Sequence, residues 1–140
     1  MKQIFTALRA MFLLAGFAAL LLLTGCGGQK RTGDSFQKIS SADAAAIMEK
    51  KTDYIILDVR TQKEYEEGHI PGAICIPNET IGSEEIPELP NKDQLILVYC
   101  RSGNRSKQAA GKLAMQGYTN IVEFGGISDW TGETISGSEP

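Results

Sequence analysis

The stretch ILVYCRSGNRS, residues 96–106, decides the fold and raises the question of function. Its first part is an unbroken apolar run, which is typical of a strand covered on both faces in a parallel sheet. The run ends at a cysteine, and two arginines, a glycine and two serines are among the residues that follow. A buried strand needs no such ending. The pattern therefore predicts a strand that delivers Cys100 to a polar loop.

Other short apolar runs alternate with helical patterns along the chain. The strand candidates are FQKI (36–39), YIILDV (54–59), AICIP (73–77), LILVY (95–99) and NIVEF (120–124). Helical patterns lie between them, and one of them, TQKEYEEG (61–68), ends on a glycine. This alternation predicts an α/β domain with a mainly parallel central sheet of about five strands and helices on both faces. Sites in such sheets form where strands end at the carboxyl edge, which is where Cys100 and Asp58 are expected.

The start of the chain has the pattern of an export signal. Lys2 and Arg9 make a basic leader, and the fourteen residues AMFLLAGFAALLLL (10–23) are continuously apolar. This run is shorter than the ~20 residues of a membrane-spanning helix and suits a signal peptide. At the end of this run, LTGC (23–26) resembles the lipobox of bacterial lipoproteins. The resemblance implies that residues 1–25 are removed and that Cys26 is acylated; an ordinary cleaved secretory signal is the alternative.

Three segments are therefore expected: a lipoprotein signal peptide (1–25), a flexible tether from the acylated Cys26 (26–35), and one folded domain (36–135). Removal of the leader changes the formal net charge from −3 to −5. A mildly acidic product argues against nucleic-acid binding, which requires a basic surface. The lipobox implies an extracytoplasmic protein held to a bacterial cell membrane by the lipid on Cys26.

Two thiols remain if Cys26 carries a lipid. Cys75 and Cys100 could form one disulfide in an oxidising compartment. Cys75 could also be a resolving thiol that attacks a modified Cys100, or simply a small strand residue. The distance between the two sulfur atoms decides between these interpretations, and the sequence does not give that distance.

The residues after Cys100 predict a site that binds a negative charge. Gly103 and Asn104 tolerate the backbone angles of a tight turn, and a helix is expected to begin near Arg105 or Ser106. The N–H groups of the turn and of the helix start can then converge on one point. A cysteine sulfur at that point is stabilised as the nucleophilic thiolate.

Several chemistries could use such a cysteine. A tyrosine-phosphatase loop has the form Cys-x5-Arg, whereas Cys100 and Arg105 give Cys-x4-Arg, and a tighter loop favours a smaller group such as one extra sulfur atom. A cysteine–histidine hydrolase would have to use His69, the only histidine. His69 is more simply interpreted as a hydrogen-bonded structural residue. A zinc site lacks ligands, because the chain has no paired cysteines.

An ordered set of motifs resembles the single-domain rhodaneses, a family of sulfurtransferases. The set comprises LDVR (57–60), EY (64–65), GHIPGAICIP (68–77), VYCRSGNRS (98–106), GYTNI (117–121) and GGISDW (125–130). The resemblance implies a rhodanese-like fold and a ping-pong reaction. In it, Cys100 takes the sulfane sulfur of a donor such as thiosulfate, forms a persulfide, and passes the sulfur to a thiophilic acceptor.

The site residues follow from the loop and the resemblance together. Cys100 is the expected catalytic residue, and substrate binding is assigned to the loop residues Arg101, Ser102, Gly103, Asn104 and Arg105. Arg105 could equally tie the loop down, and Asp58 and Ser106 are expected to support it. Arg60 and Glu64 stand four residues apart and are expected to form a local ion pair.

The expected partners are a small anionic sulfur donor and a protein or small-molecule thiol acceptor; no cofactor and no metal are expected. A persulfide carrier or redox module that acts on a protein thiol is the alternative function.

Overall fold

The structure is a computed structural model that describes residues 35–140. The predicted signal peptide, the lipidation site at Cys26 and the predicted tether up to residue 34 lie outside the described residues. Among residues 35–140, no helix is both long and apolar enough to span a bilayer.

Five parallel strands form one sheet in the order β1-β5-β4-β2-β3. Their bounds are Gln37–Lys38 (β1), Tyr54–Asp58 (β2), Ala73–Cys75 (β3), Leu95–Cys100 (β4) and Ile121–Gly126 (β5). The central strand β4 is buried along its whole length, as its unbroken apolar sequence predicts. The strand order reverses between β2 and β4, and parallel sheets form sites at the carboxyl ends of strands on either side of such a reversal.

Three helices cover the sheet: Ser41–Lys50 (α1), Gln62–Glu67 (α2) and Asn104–Met115 (α3). Short 3-10 turns at Asn78–Thr80 and Ile127–Asp129 complete the regular structure. Ser40 caps α1 by accepting the N–H of Asp43. Thr61 and Glu64 form a reciprocal capping box at the start of α2, which fixes Glu64 in the first turn.

The sheet separates two apolar layers. On one face, α3 packs its buried residues Ala109, Ala110 and Leu113 against the core cluster that also contains Cys100. On the other face, Ala44 of α1 and Tyr65 of α2 belong to a second cluster. The predicted α/β fold, with a parallel five-stranded sheet and helices on both faces, is confirmed.

Two local predictions around the loop are corrected. Helix α3 begins at Asn104, one or two residues earlier than expected. Only Gly103 adopts a left-handed backbone angle, with φ of 95°, whereas Asn104 is already helical. The turn is therefore shorter than predicted because one glycine suffices to redirect the chain.

His69 has a structural position. It is buried, its ring stacks on that of Tyr65, and its two ring nitrogens lie 2.9 Å from Tyr65 O and 3.0 Å from Glu139 O. Its backbone pairs with Ile135 in an antiparallel bridge. The Nε2 contact and the backbone bridge hold the C-terminal segment, and the Nδ1 contact fixes the ring against α2.

Candidate active site

The loop after β4 curls around the sulfur of Cys100. Cys100 is the last residue of β4 and is buried, and Gly103 then turns the chain into α3. The N–H of Gly103 donates to Cys100 Sγ at 3.1 Å. The thiol of Cys100 lies 3.5 Å from Ser106 Oγ, which it reaches as a donor. The predicted convergence of loop and helix on one sulfur atom is thus present in the geometry.

These surroundings act on the pKa of Cys100 in two directions. Burial raises the pKa of the thiol because it disfavours the charged form. Hydrogen bonds from the N–H groups of Ser106, Ser102 and Gly103 lower it. The hydrogen bonds prevail, so the pKa of Cys100 lies below its ordinary value. A lowered pKa enlarges the thiolate fraction at neutral pH, and the thiolate is the reactive form.

Strand β5 supplies the floor of the loop. Cys100 pairs in register with Gly126, next to an irregularity in the β4–β5 ladder. A Cβ atom at Gly126 would lie 2.2 Å from the carbonyl oxygen of Arg101 and 2.6 Å from Ser102 Cα. Glycine is therefore required here, because the loop backbone occupies the space that any side chain would need.

Arg105 is held by Glu64. Its two terminal guanidinium nitrogens each donate at 2.8 Å to a different oxygen of that carboxylate, in bidentate geometry. The Arg105 hydrogen bond holds the pKa of Glu64 down at about 2, together with hydrogen bonds from Thr61 and against the effect of burial. Arg105 therefore links α3 to the first turn of α2. This contact agrees with the alternative prediction that Arg105 holds the loop in place.

The expected ion pair between Arg60 and Glu64 was wrong. Arg60 instead binds Asp58, with Nη2 at 2.6 Å from Oδ2 and Nε at 3.0 Å from Oδ1. Both side chains are buried at the end of β2, so a partner two residues away satisfies the guanidinium before the helix begins. Asp58 also accepts the backbone N–H of Arg60. Asp58 and Ser106 were both predicted to support the loop. The carboxylate of Asp58 binds Arg60, whereas Ser106 contacts the sulfur of Cys100.

The remaining loop residues lie at the rim. Arg101 and Ser102 are exposed, and Arg101 borders a cleft of about 430 Å³ that Glu64, Gly68 and Ser128 also line. Asn104 is exposed too, and its side chain accepts a hydrogen bond from Gln108. An exposed guanidinium beside a cleft is free to meet an anion arriving from solvent.

Cys75 lies on the other side of the sheet from Cys100. It pairs in register with Asp58, and Asp58 pairs with Tyr99. Successive side chains on a strand point to opposite faces, so Cys75 shares the face of Tyr99, and Cys100 points the other way. Both thiols are free. Burial, followed by the charge of Asp58, raises the pKa of Cys75 to about 11. This geometry favours the simplest reading, a strand residue, over a resolving thiol.

Sequence reasoning missed three residues of the site: Glu64, Gly126 and Glu123. Glu123 is fully buried on β5, and one of its carboxylate oxygens accepts the hydroxyl of Ser106 at 2.6 Å. A charged residue inside an otherwise apolar strand was the available signal. For Gly126, the signal was the Gly-Gly pair at the end of the same strand.

Among residues 35–140, no group of three or more histidine, cysteine or acidic side chains is arranged to hold a metal ion. The chemistry of the described loop is that of one sulfur atom, its hydrogen-bond donors and the arginines around it.

Comparison with known proteins identifies the family. Residues 40–133 match the family model described as Rhodanese-like domain. The match covers more than half of the chain, and the chain belongs to the rhodanese-like domain family. The prediction of a rhodanese-type sulfurtransferase is thereby confirmed at the level of the class.

Individual relatives agree with this class. The chain is 36% identical to "Thiosulfate sulfurtransferase PspE" of Escherichia coli over 73 residues, which cover 52% of this chain and 70% of PspE. It is 40% identical to "Putative sulfur carrier protein YrkF" of Bacillus subtilis over 80 residues, 56% of this chain but only 42% of YrkF. A solved structure, "rhodanese with anions from E. coli", superposes with a TM-score of 0.56 and 34% identity, covering 60% of this chain and 99% of that one.

Proposed function

We propose that the protein transfers a sulfane sulfur atom from a small anionic donor such as thiosulfate to a thiophilic acceptor through a persulfide on Cys100. The observation that carries this proposal is the buried Cys100 sulfur, placed 3.1 Å from the N–H of Gly103 inside a loop that lowers its pKa. A sulfur atom added to Cys100 stays small enough for a loop of four residues between cysteine and arginine.

The reaction divides into two displacements. In the first, the Cys100 thiolate attacks the outer sulfur of thiosulfate; an S–S bond forms to Cys100 and the old S–S bond breaks, so that sulfite leaves with the electron pair. In the second, an acceptor such as cyanide attacks the outer sulfur of the persulfide. Thiocyanate forms, and Cys100 leaves as the thiolate. A nucleophilic intermediate of this kind replaces one difficult transfer by two easier ones.

The loop residues have different roles in binding the donor and the persulfide. The persulfide carries a negative charge on its outer sulfur, and we expect the N–H groups of Ser102 and Gly103, which hydrogen-bond Cys100 Sγ, to stabilise that charge. Arg101 stands exposed at the rim, where it can attract the donor anion. Arg105 is already engaged by Glu64, so its contribution is to fix the loop and to add positive charge nearby.

A persulfide carrier is the second candidate function. The similarity to a protein named as a putative sulfur carrier favours it. A carrier would load sulfur on Cys100 in the same way but would deliver it to a particular protein thiol. A redox role that pairs Cys100 with Cys75 is less favoured, because their side chains project from opposite faces of the sheet.

Discharge of the loaded protein separates the two candidates. The full chain is treated with thiosulfate, freed of excess donor and then given cyanide. We expect intact-mass spectrometry to show a gain of one sulfur atom that disappears on addition of cyanide, with thiocyanate formed in equal amount and on repeated cycles. A persulfide that survives cyanide and is lost only to a protein thiol would favour the carrier. Absence of loading would contradict both.

We also propose that the protein is a lipoprotein on the extracytoplasmic side of a bacterial membrane, anchored through Cys26. The support is the LTGC pattern after a fourteen-residue apolar run. Expression in a bacterial host should place the wild-type chain in the membrane fraction and give an acylated N-terminal Cys26. Cys26→Ser should shift it out of that fraction or leave an uncleaved leader. An unmodified Cys26 in the wild-type chain would contradict the proposal.

A further inference from the structure

Glu123 is a fully buried acid beneath the loop that follows Cys100. It lies in the middle of β5 with no exposed surface, and none of the ion pairs among residues 35–140 includes it. Its Oε1 accepts the hydroxyl of Ser106 at 2.6 Å and the N–H of Gly125 at 2.9 Å. Its Oε2 is buried and has no hydrogen-bond partner among the described residues. A buried carboxylate without an ion-pair partner costs folding free energy, so the position of Glu123 beneath the loop suggests a role in the site.

Ser106 links Glu123 to Cys100. Three groups surround its hydroxyl: Glu123 Oε1 at 2.6 Å, Gly125 O at 3.3 Å and Cys100 Sγ at 3.5 Å. A serine hydroxyl has only one proton to donate and two lone pairs to accept with. While Glu123 is ionised, the short contact holds that proton, and Ser106 can only accept from Cys100. In this arrangement Ser106 stabilises the thiol.

We propose that Glu123 is a positioning residue that sets, through Ser106, whether the Cys100 sulfur is held as a thiol or as a thiolate. The proposal rests on the proposed function of Cys100 as the nucleophile. When Glu123 carries a proton, it donates to Ser106 Oγ, and the Ser106 hydroxyl turns to donate to the sulfur. The thiol proton moves to Ser106 and the Ser106 proton moves to Glu123. No bond between heavy atoms changes, and the total charge of the three side chains stays the same.

This exchange avoids two neighbouring negative charges in a buried place. Ionised Glu123 opposes the thiolate, whereas the N–H of Gly103 favours it, so the sulfur is balanced between its two forms. Cys100 and Glu123 then share one proton through Ser106. Other charged groups lie near this pair: Arg105 with its partner Glu64, Arg101 next to Cys100, and Lys38, Lys107 and Asp129 around a cleft of about 420 Å³ beside Glu123. All of these groups are the same in the wild type and in Glu123→Gln.

Replacing Glu123 by glutamine tests the proposal. Glutamine has the same shape but cannot ionise, and its neutral amide oxygen holds the Ser106 proton less strongly than the carboxylate does, which lets the Ser106 hydroxyl donate to the sulfur. We expect the pH midpoint of Cys100 alkylation by iodoacetamide to fall by about one unit or more in Glu123→Gln, which is about tenfold faster alkylation below the midpoint. The readout on the full chain is the mass of the peptide that contains Cys100. Asp129→Asn, which removes an exposed charge from the same cleft, is the control and should leave the midpoint unchanged.

A second background shows whether Ser106 carries the effect. In Ser106→Ala, the further change Glu123→Gln should shift the midpoint clearly less than it does when Ser106 is present, because the part of the effect that the hydroxyl transmits is lost and only the repulsion between the two charges remains. An equal shift in both backgrounds would overturn the proposal in favour of charge acting through space. No shift, or a rise, in Glu123→Gln alone would also overturn it.

Loading of wild-type Cys100 by thiosulfate is independent of the Glu123 result. A failed Glu123 test with normal loading would therefore remove only the positioning role, whereas failed loading would remove the proposed function itself.

Discussion

Cys100→Ser is expected to abolish sulfur transfer. Formation of thiocyanate from thiosulfate and cyanide should fall by at least about a thousandfold, the scale of loss when a covalent nucleophile is removed. Serine fits the space, and its oxygen can accept the N–H of Gly103, so the fold should survive. Its hydroxyl, however, stays protonated at neutral pH and forms no persulfide. Intact-mass spectrometry after thiosulfate should accordingly show no gain of sulfur.

Cys75→Ser is the matched control for this loss. Cys75 is half-buried on the other face of the sheet, and burial keeps its pKa at about 11, well away from the reactive range. We expect thiocyanate formation within about threefold of the wild type, because distant substitutions without shared contacts have small effects. Full turnover by Cys100→Ser, or equal losses in both variants, would contradict the assignment of the nucleophile.

Gly126→Ala is expected to have the second-largest effect on activity. The added Cβ would lie 2.2 Å from the carbonyl oxygen of Arg101, far inside van der Waals contact, and the neighbour is backbone rather than a flexible side chain. The loop must therefore move away from β5, which shifts the N–H groups around Cys100. Displacement of a catalytic group by about 1 Å can cost about a hundredfold in rate, and we expect a loss of that order. Thiocyanate formation measures it.

Gly111→Ala is the control for Gly126→Ala. Gly111 lies within α3, and a Cβ there would meet no atom within 4 Å. Alanine should leave the activity unchanged and stabilise the protein by about 0.5–1 kcal/mol, since glycine is costly inside a helix. Circular dichroism and thermal unfolding report whether both variants remain folded. A folded Gly126→Ala with full activity would show that the floor of the loop does not position the sulfur.

The fold was largely predictable because its signals are local. The unbroken apolar run before Cys100 and the alternation of strands and helices are enough to indicate a parallel sheet with the cysteine at its carboxyl edge. Gly103 could be placed in the turn for the same reason, since the φ of 95° that it adopts favours glycine.

The partners of the charged residues were harder to predict. Spacing along a helix favoured Arg60 with Glu64, yet Glu64 binds Arg105, which is 41 residues away. Such a pair depends on how α2 and α3 meet above the sheet, and no local pattern contains that information. Arg60 found a nearer partner in Asp58, because both are buried where β2 ends.

The register of the strands decides on which face of the sheet the side chains of Cys75 and Glu123 lie, and the sequence alone does not give this register. Whether two side chains share a face depends on which residues stand opposite each other, and a shift of one residue reverses the answer. The pairing of Cys75 with Asp58 puts that thiol on the face away from Cys100. The same kind of information, the pairing of Val98 with Glu123 on β5, brings a buried acid beneath the loop.

The most direct test of the central claim compares the two thiols of one folded protein. The full chain is alkylated with iodoacetamide over a range of pH, and the peptides containing Cys100 and Cys75 are quantified by mass spectrometry. The hydrogen bonds from the loop lower the pKa of Cys100, whereas burial raises that of Cys75 to about 11. We expect Cys100 to react at clearly lower pH than an ordinary cysteine and Cys75 at clearly higher pH. Reaction of Cys100 at or above the pH of an ordinary cysteine would contradict the account.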